Sequence, residues 1–109
     1  MKQVVIDLDF LTGPIVKDVY DVESNTLCTG VKVIDSDKNL EKINQEIQDE
    51  YSSLYEFDNG EAVTFDTELA KKRKHDLQKK VQKLLNYLEK INDGSFVVVD
   101  HATEYLKKL

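Results

Sequence analysis

Two apolar stripes at helical spacing constrain this chain more than anything else in it. Leu40, Ile43, Ile47, Tyr51 and Leu54 form the first, and Leu77, Val81, Leu84, Leu88 and Ile91 the second. At about 100° per residue each set falls within a narrow sector, so each segment carries one face that has to be covered. Outside the sectors the charges differ. Glu41, Glu46, Asp49 and Glu56 surround the first stripe, whereas the second lies on a lysine-rich segment. One acidic and one basic helix joined through a turn are expected to pack antiparallel on a sheet and on each other, because helices gain most of their stability from tertiary contact. The steps of four and three in the second stripe also suit a coiled-coil seam of about two heptads, which makes a homodimer the alternative use of the same residues.

The remaining segments are shorter. Val4 to Phe10 alternates, with Val4, Ile6, Leu8 and Phe10 on one side and Asp7 and Asp9 on the other, the period of a half-buried strand. Thr12-Gly13-Pro14 breaks it. The stretches 15–22 and 27–34 flank Glu23-Ser24-Asn25-Thr26 and predict a hairpin, with Gly30 marking a bulge. Asp35-Ser36-Asp37 offers N-cap side chains for a helix over 38–56. Asn59-Gly60 signals a tight turn before a brief strand over 61–65, and Asp66 or Thr67 caps a second helix that runs to Asn92, where Asp93-Gly94 ends it. The unbroken run Phe96-Val97-Val98-Val99 predicts a central strand buried on both faces, and 100–109 a short closing helix. Together these predict a single α+β domain over residues 1–109: a roughly four-stranded, largely antiparallel sheet with two long amphipathic helices packed on one face.

A chain of 109 residues with 40% hydrophobic content can bury one modest core, and its four glycines and one proline are not the composition of a disordered segment. No stretch approaches the roughly 20 apolar residues of a membrane helix, so no membrane association is expected. The opening residues contain Asp7 and Asp9 and lack the basic lead and cleavage site of a secretory signal, and the single Cys28 forms no internal disulfide. A cytoplasmic location is the expectation.

Val4-Val5-Ile6-Asp7-Leu8-Asp9 resembles the first motif of the haloacid-dehalogenase-like phosphotransferases. The resemblance implies that Asp7 attacks a phosphoryl group and Asp9 handles the leaving-group proton, with magnesium damping the charge; Phe96 to Asp100 would mimic the later strand that ends in a metal-binding acid. It spans about ten residues, and it departs from the family at Phe10-Leu11, where the family has Gly-Thr around the phosphate. Helices and strands also fail to alternate as that architecture requires. A metal site would draw on His75, His101 and Cys28, none of which sits in a ligand-pair spacing. No enzyme activity, cofactor or metal is therefore expected.

Charge distribution carries the functional expectation. The net charge of −6 divides into −10 over residues 1–66 and +4 over residues 67–109. Lys72, Lys79, Lys83 and Lys90 fall about 120–160° from Leu77, a stripe nearly opposite the apolar face. Without interleaved aromatic side chains, and in an acidic molecule, this stripe is expected to meet an acidic protein surface or a second copy rather than nucleic acid. At the other pole, Asp18, Asp21 and Glu23 join Asp7, Asp9, Asp35 and Asp37 in a field that attracts basic proteins. The expected function is a non-enzymatic protein-interaction or regulatory module. The alternative is an acidic inhibitor of a nucleic-acid enzyme, of the immunity or phage-antagonist type.

Overall fold

The computed structural model describes residues 1–58 and 62–109, so the expected Asn59-Gly60 turn lies outside the described residues. In chain order the elements are β1 (Lys2–Ile6), β2 (Val19–Asp21), β3 (Thr26–Cys28), α1 (Lys32–Asp35), α2 (Lys38–Ser52), β4 (Tyr55–Asp58), β5 (Ala62–Phe65), α3 (Thr67–Ile91), β6 (Phe96–Asp100) and α4 (Ala102–Lys107). The α+β class and the two long helices are as expected; the sheet is not.

Instead of one four-stranded antiparallel sheet, the described residues form three two-stranded units, β1 with β6, β2 with β3 and β4 with β5. β1 and β6 run parallel, with Lys2 opposite Phe96 and Ile6 opposite Asp100, as suits strands joined by a long crossover. The middle position that the sequence pattern gave to the Phe96–Val99 run belongs to β1. On its second edge β1 bonds the 14–16 segment, Asp7 N–H donating to Pro14 O at 2.8 Å and Val16 N–H to Val5 O at 2.9 Å. Of the β6 run only Phe96 is fully buried, and Val97 is 39% exposed on an edge strand.

Residues 6–15 thus fold back as an arm, with bridges Ile6 to Ile15 and Asp9 to Thr12. Ile15 pairs with β1 and leaves the expected hairpin, which shrinks to β2 and β3. The predicted strand over 27–34 also stops early. Gly30 sits at φ +81°, a left-handed corner rather than a bulge, and α1 follows. Asp35 locks that corner by accepting from Thr29 N, Thr29 Oγ1 and Gly30 N at 3.0, 2.7 and 3.0 Å.

Asp37 caps α2 by accepting from Leu40 N at 3.0 Å, and Asp66 caps α3 by accepting from Leu69 N at 3.0 Å. α2 ends at Ser52, four residues short of the expected limit, yet Leu54 is still buried, from the turn that leads into β4. Both stripes lie in one core with Val4, Ile6 and Phe96. Tyr51 Oη meets Tyr105 Oη at 2.7 Å and Tyr55 Oη at 3.1 Å, joining α2, α4 and β4, and burial pushes the Tyr51 phenol up so that it stays neutral.

α2 and α3 lie antiparallel. Tyr87, late in α3, donates to Asp37 at the start of α2 (2.9 and 2.8 Å), while Glu50, late in α2, faces Arg73 and Lys80 early in α3 at 3.9 and 2.9 Å. Glu50 is only 9% exposed, and Lys80 approaches its Oε2 off the line of a hydrogen bond. Burial pushes the Glu50 carboxyl up, and the neighbouring Asp76 adds to the rise, while Asp76 itself is drawn down beside Glu50 and Lys80. A carboxyl raised by folding favours the native state below its ordinary value of 4.5, and that contribution is lost as pH rises through the folded value. Lys80→Ala removes the cation that offsets the resulting buried charge. It should cost about 2 kcal/mol at pH 7, and the deficit should shrink as pH falls through the raised folded value toward 4.5, measured by urea denaturation across pH.

Candidate functional site

A groove runs between α2 and the arm-and-hairpin region formed by residues 7–28. It consists of two adjoining cavities of about 400 Å³ and about 330 Å³ that share Ile15, Lys17, Leu27 and Glu41. Lys17 Nζ reaches both Glu41 oxygens at 3.2 Å and so bridges the groove where the cavities meet. Both partners are substantially exposed, so this bridge positions more than it stabilises. Among the described residues, five carboxylates line the groove against that one lysine: Asp7, Asp9 and Glu41 in the larger cavity, with Asp21 and Asp35 added in the smaller.

The carboxylates are not equivalent. Asp35 is occupied by the three bonds that hold the Gly30 corner, and Asp21 accepts from Glu23 N at 3.1 Å and Ser24 Oγ at 2.9 Å. Glu41 is paired with Lys17. Asp7 and Asp9 each accept only from the amide that follows, Leu8 N at 2.9 Å and Phe10 N at 2.8 Å. No cation pairs with either among the described residues, so their charge faces the cavity uncompensated.

The walls have a structural logic. The arm turns at Leu11, which takes φ +61°, a left-handed conformation costly for a branched side chain. α2 holds that turn by both backbone groups: Ser52 Oγ accepts from Leu11 N at 3.0 Å, and Gln48 Nε2 donates to Leu11 O at 3.1 Å. Deeper in, Asn44 is 3% exposed, and its Oδ1 accepts from Ile15 N at 3.0 Å. Gly13 lies against it. A methyl added at Gly13 would stand 2.7 Å from Asn44 Cγ, so the cavity wall at this point admits only glycine.

The residues singled out from sequence fall in two places. Asp18, Asp21 and Glu23 belong to the hairpin side: Lys2 pairs with Asp18 at 2.9 Å and holds its carboxyl below the usual range, Asp21 lines the smaller cavity, and Glu23 is exposed in the turn. Lys72, Lys79, Lys83 and Lys90 are exposed along α3 with no ion-pair partner among the described residues, and α3 contributes no residue to the groove. Structure therefore separates the two proposed surfaces. The sequence pattern missed Asn44, Gly13 and Glu41 as groove residues. A signal for Asn44 existed, since it lies about 40° from Leu40, at the border of the apolar sector, where a polar residue needs a reason.

The parallel pairing of β1 and β6 does put Asp7 and Asp100 at the same end of two adjacent strands. Asp100, however, accepts from Thr103 N at 3.1 Å and from Thr103 Oγ1, capping the start of α4. No group of three or more His, Cys, Asp or Glu side chains converges as a metal-holding set among the described residues. Cys28 is a free, half-buried thiol, and no helix among the described residues is long and apolar enough to cross a membrane. Comparison with known proteins found no matching family model, no matching curated protein and no matching solved structure.

Proposed function

We propose that this chain is a non-enzymatic, cytoplasmic protein-interaction module that takes a basic segment of another protein into the groove between α2 and the β2–β3 hairpin. What carries the reading is the charge imbalance in a preformed concave site, five carboxylates against one lysine among the described residues, bordered by the exposed apolar side chains of Val16 and Leu27. A groove of one sign focuses the field and speeds encounter with an oppositely charged partner, while the apolar border adds contact area once docking occurs. Inhibition of a nucleic-acid enzyme is the narrower form of the same idea, because such enzymes present basic surfaces where phosphate binds.

The unpaired lysine stripe on α3 supports a second reading, docking of α3 from one copy into the groove of the next. Such a contact is heterologous and does not close on itself, so it produces chains of increasing size rather than a dimer.

Titration of the intact protein with a lysine- and arginine-rich peptide at low and high salt separates these readings. The module reading expects binding that weakens with salt and survives conversion of Lys72, Lys79 and Lys83 to Glu. No binding of the basic peptide at low salt would reject the basic partner. Growth of particle size with protein concentration, abolished in the same variant, would establish the second reading. A nucleic-acid gel shift at low salt would favour the nucleic-acid role instead.

A further inference from the structure

We infer that the larger cavity of the groove is a pocket for one arginine side chain of the partner, gripped by Asp7 and Asp9, with Asn44 binding a carbonyl of the same segment. The inference rests on the proposed groove function and gives that groove a specific chemistry. Its first observation is the pair of carboxylates, each with one neighbouring amide as its only hydrogen-bond donor and no cation beside it among the described residues. The second is independent. Asn44 is 97% buried; its Oδ1 is taken by Ile15 N–H, and its Nδ2 has no hydrogen-bond partner among the described residues. That nitrogen is not sealed off either, since among the described residues the one buried side-chain polar atom without a partner is Glu50 Oε2. Asn44 and Gly13 line the cavity together, and Nδ2 is the Asn44 atom nearest Gly13, so the free donor sits at the cavity wall. An amide donor that reaches the cavity without a protein partner is open to an acceptor that enters it.

The occupant must therefore carry a cation for the carboxylates and an acceptor for Nδ2. A bare metal ion has no acceptor to offer, and a hydrogen-bond donor pointing at it would repel it. A peptide residue with a basic side chain has both, the charge at its tip and a carbonyl on its backbone. The apolar walls, Ile15, Val16 and Leu27, suit the methylene stem of such a side chain. Asp7 and Asp9 stand two residues apart, about 7 Å along an extended backbone, a spacing that one planar fork of five donors spans better than a compact ammonium. This chain has a single arginine, Arg73, already 3.9 Å from Glu50, and the α3 stripe is lysine. The guanidinium therefore comes from a different protein.

The probes are N-acetyl-arginine methylamide and its lysine and citrulline counterparts, titrated into the intact protein while the side-chain amide signals of Asn44 are followed by NMR. The expected result is a shift of the Asn44 signals with the arginine compound, with affinity at least about tenfold weaker for citrulline, which keeps the shape and loses the charge. Asp7→Asn and Asp9→Asn should each weaken arginine binding by about tenfold or more while leaving the denaturation midpoint in place, because an asparagine Oδ1 still accepts the neighbouring amide. Equal binding of lysine and arginine compounds, or binding indifferent to both substitutions, would overturn the pocket while a salt-sensitive basic peptide still upheld the groove. An Asn44 amide unmoved at saturation would overturn its assigned contact. Failure of the basic peptide as well as the arginine compound would reject the groove itself.

Discussion

Leu84→Ala is expected to cost about 2–5 kcal/mol, and Leu88→Ala about the same, because each removes a fully buried side chain from the line where α3 meets the rest of the core. The loss has two parts: transfer of the missing methyl groups back to water, and the cavity left when neighbours relax only partly. Both leucines are 0% exposed, and the core around them draws on α2, α3, β1, β6 and α4 at once, so collapse around a void is hindered. A domain of this size is typically stable by about 5–15 kcal/mol, which makes either substitution a large fraction of the total. Urea denaturation should show a lower midpoint with an unchanged slope, whereas Lys83→Ala on the exposed side should shift it by less than about 0.5 kcal/mol. Unchanged midpoints in both leucine variants would mean that the stripe is not covered within one copy, and would return it to the role of a dimer seam.

What periodicity could reveal here depended on how much of each element faces the core. Long helices repeat their inward face many times, so both stripes, the Asp37 and Asp66 caps and the closing helix on Leu106 were legible before any coordinates. Strands of three to five residues repeat it once or twice. The Phe96–Val99 run shows the consequence. Three consecutive valines suit a strand covered on both faces, but apolar character does not report which neighbour supplies the second edge, and β6 ended as an edge strand with Val97 in solvent. Strand direction was equally hidden: β1 and β6 are parallel because everything between them forms the crossover, a property of the whole chain rather than of either segment. The shortened hairpin has a local cause, the left-handed Gly30 corner fixed by Asp35.

The groove was half legible. Asp7, Asp9, Asp21 and Asp35 stood out as acidic, yet their number says nothing about which remain available. The hydrogen bonds separate them, because Asp35 and Asp21 are consumed by the turns they stabilise and Asp7 and Asp9 are not. Glu50 teaches the same lesson on the opposite side of α2. It sits about 80° from Leu40, at the border of the apolar sector, and only the arrival of Arg73 and Lys80 from α3 determines that it is buried and paired rather than solvated.

Gly13→Ala is expected to be about as damaging as a core truncation, at about 2–4 kcal/mol, although it adds a single methyl at a half-buried position. Backbone conformation is not the reason. Gly13 lies outside the left-handed region, and Pro14 after it favours an extended backbone that alanine also adopts. Space is the reason: the methyl carbon would stand 2.7 Å from Asn44 Cγ and 2.9 Å from its Oδ1, and Asn44 cannot retreat because α2 fixes its backbone. Moving the side chain breaks the bond from Ile15 N–H and leaves a buried donor unsatisfied, so steric and polar costs add. The pair Gly13→Ala and Asn44→Ala tests this directly. Removing the amide makes room for the methyl, so the double variant should be destabilised by at least about 1 kcal/mol less than the sum of the single changes. Strict additivity in urea denaturation would show that the glycine is not there to admit Asn44, and that the wall of the cavity is set by something else.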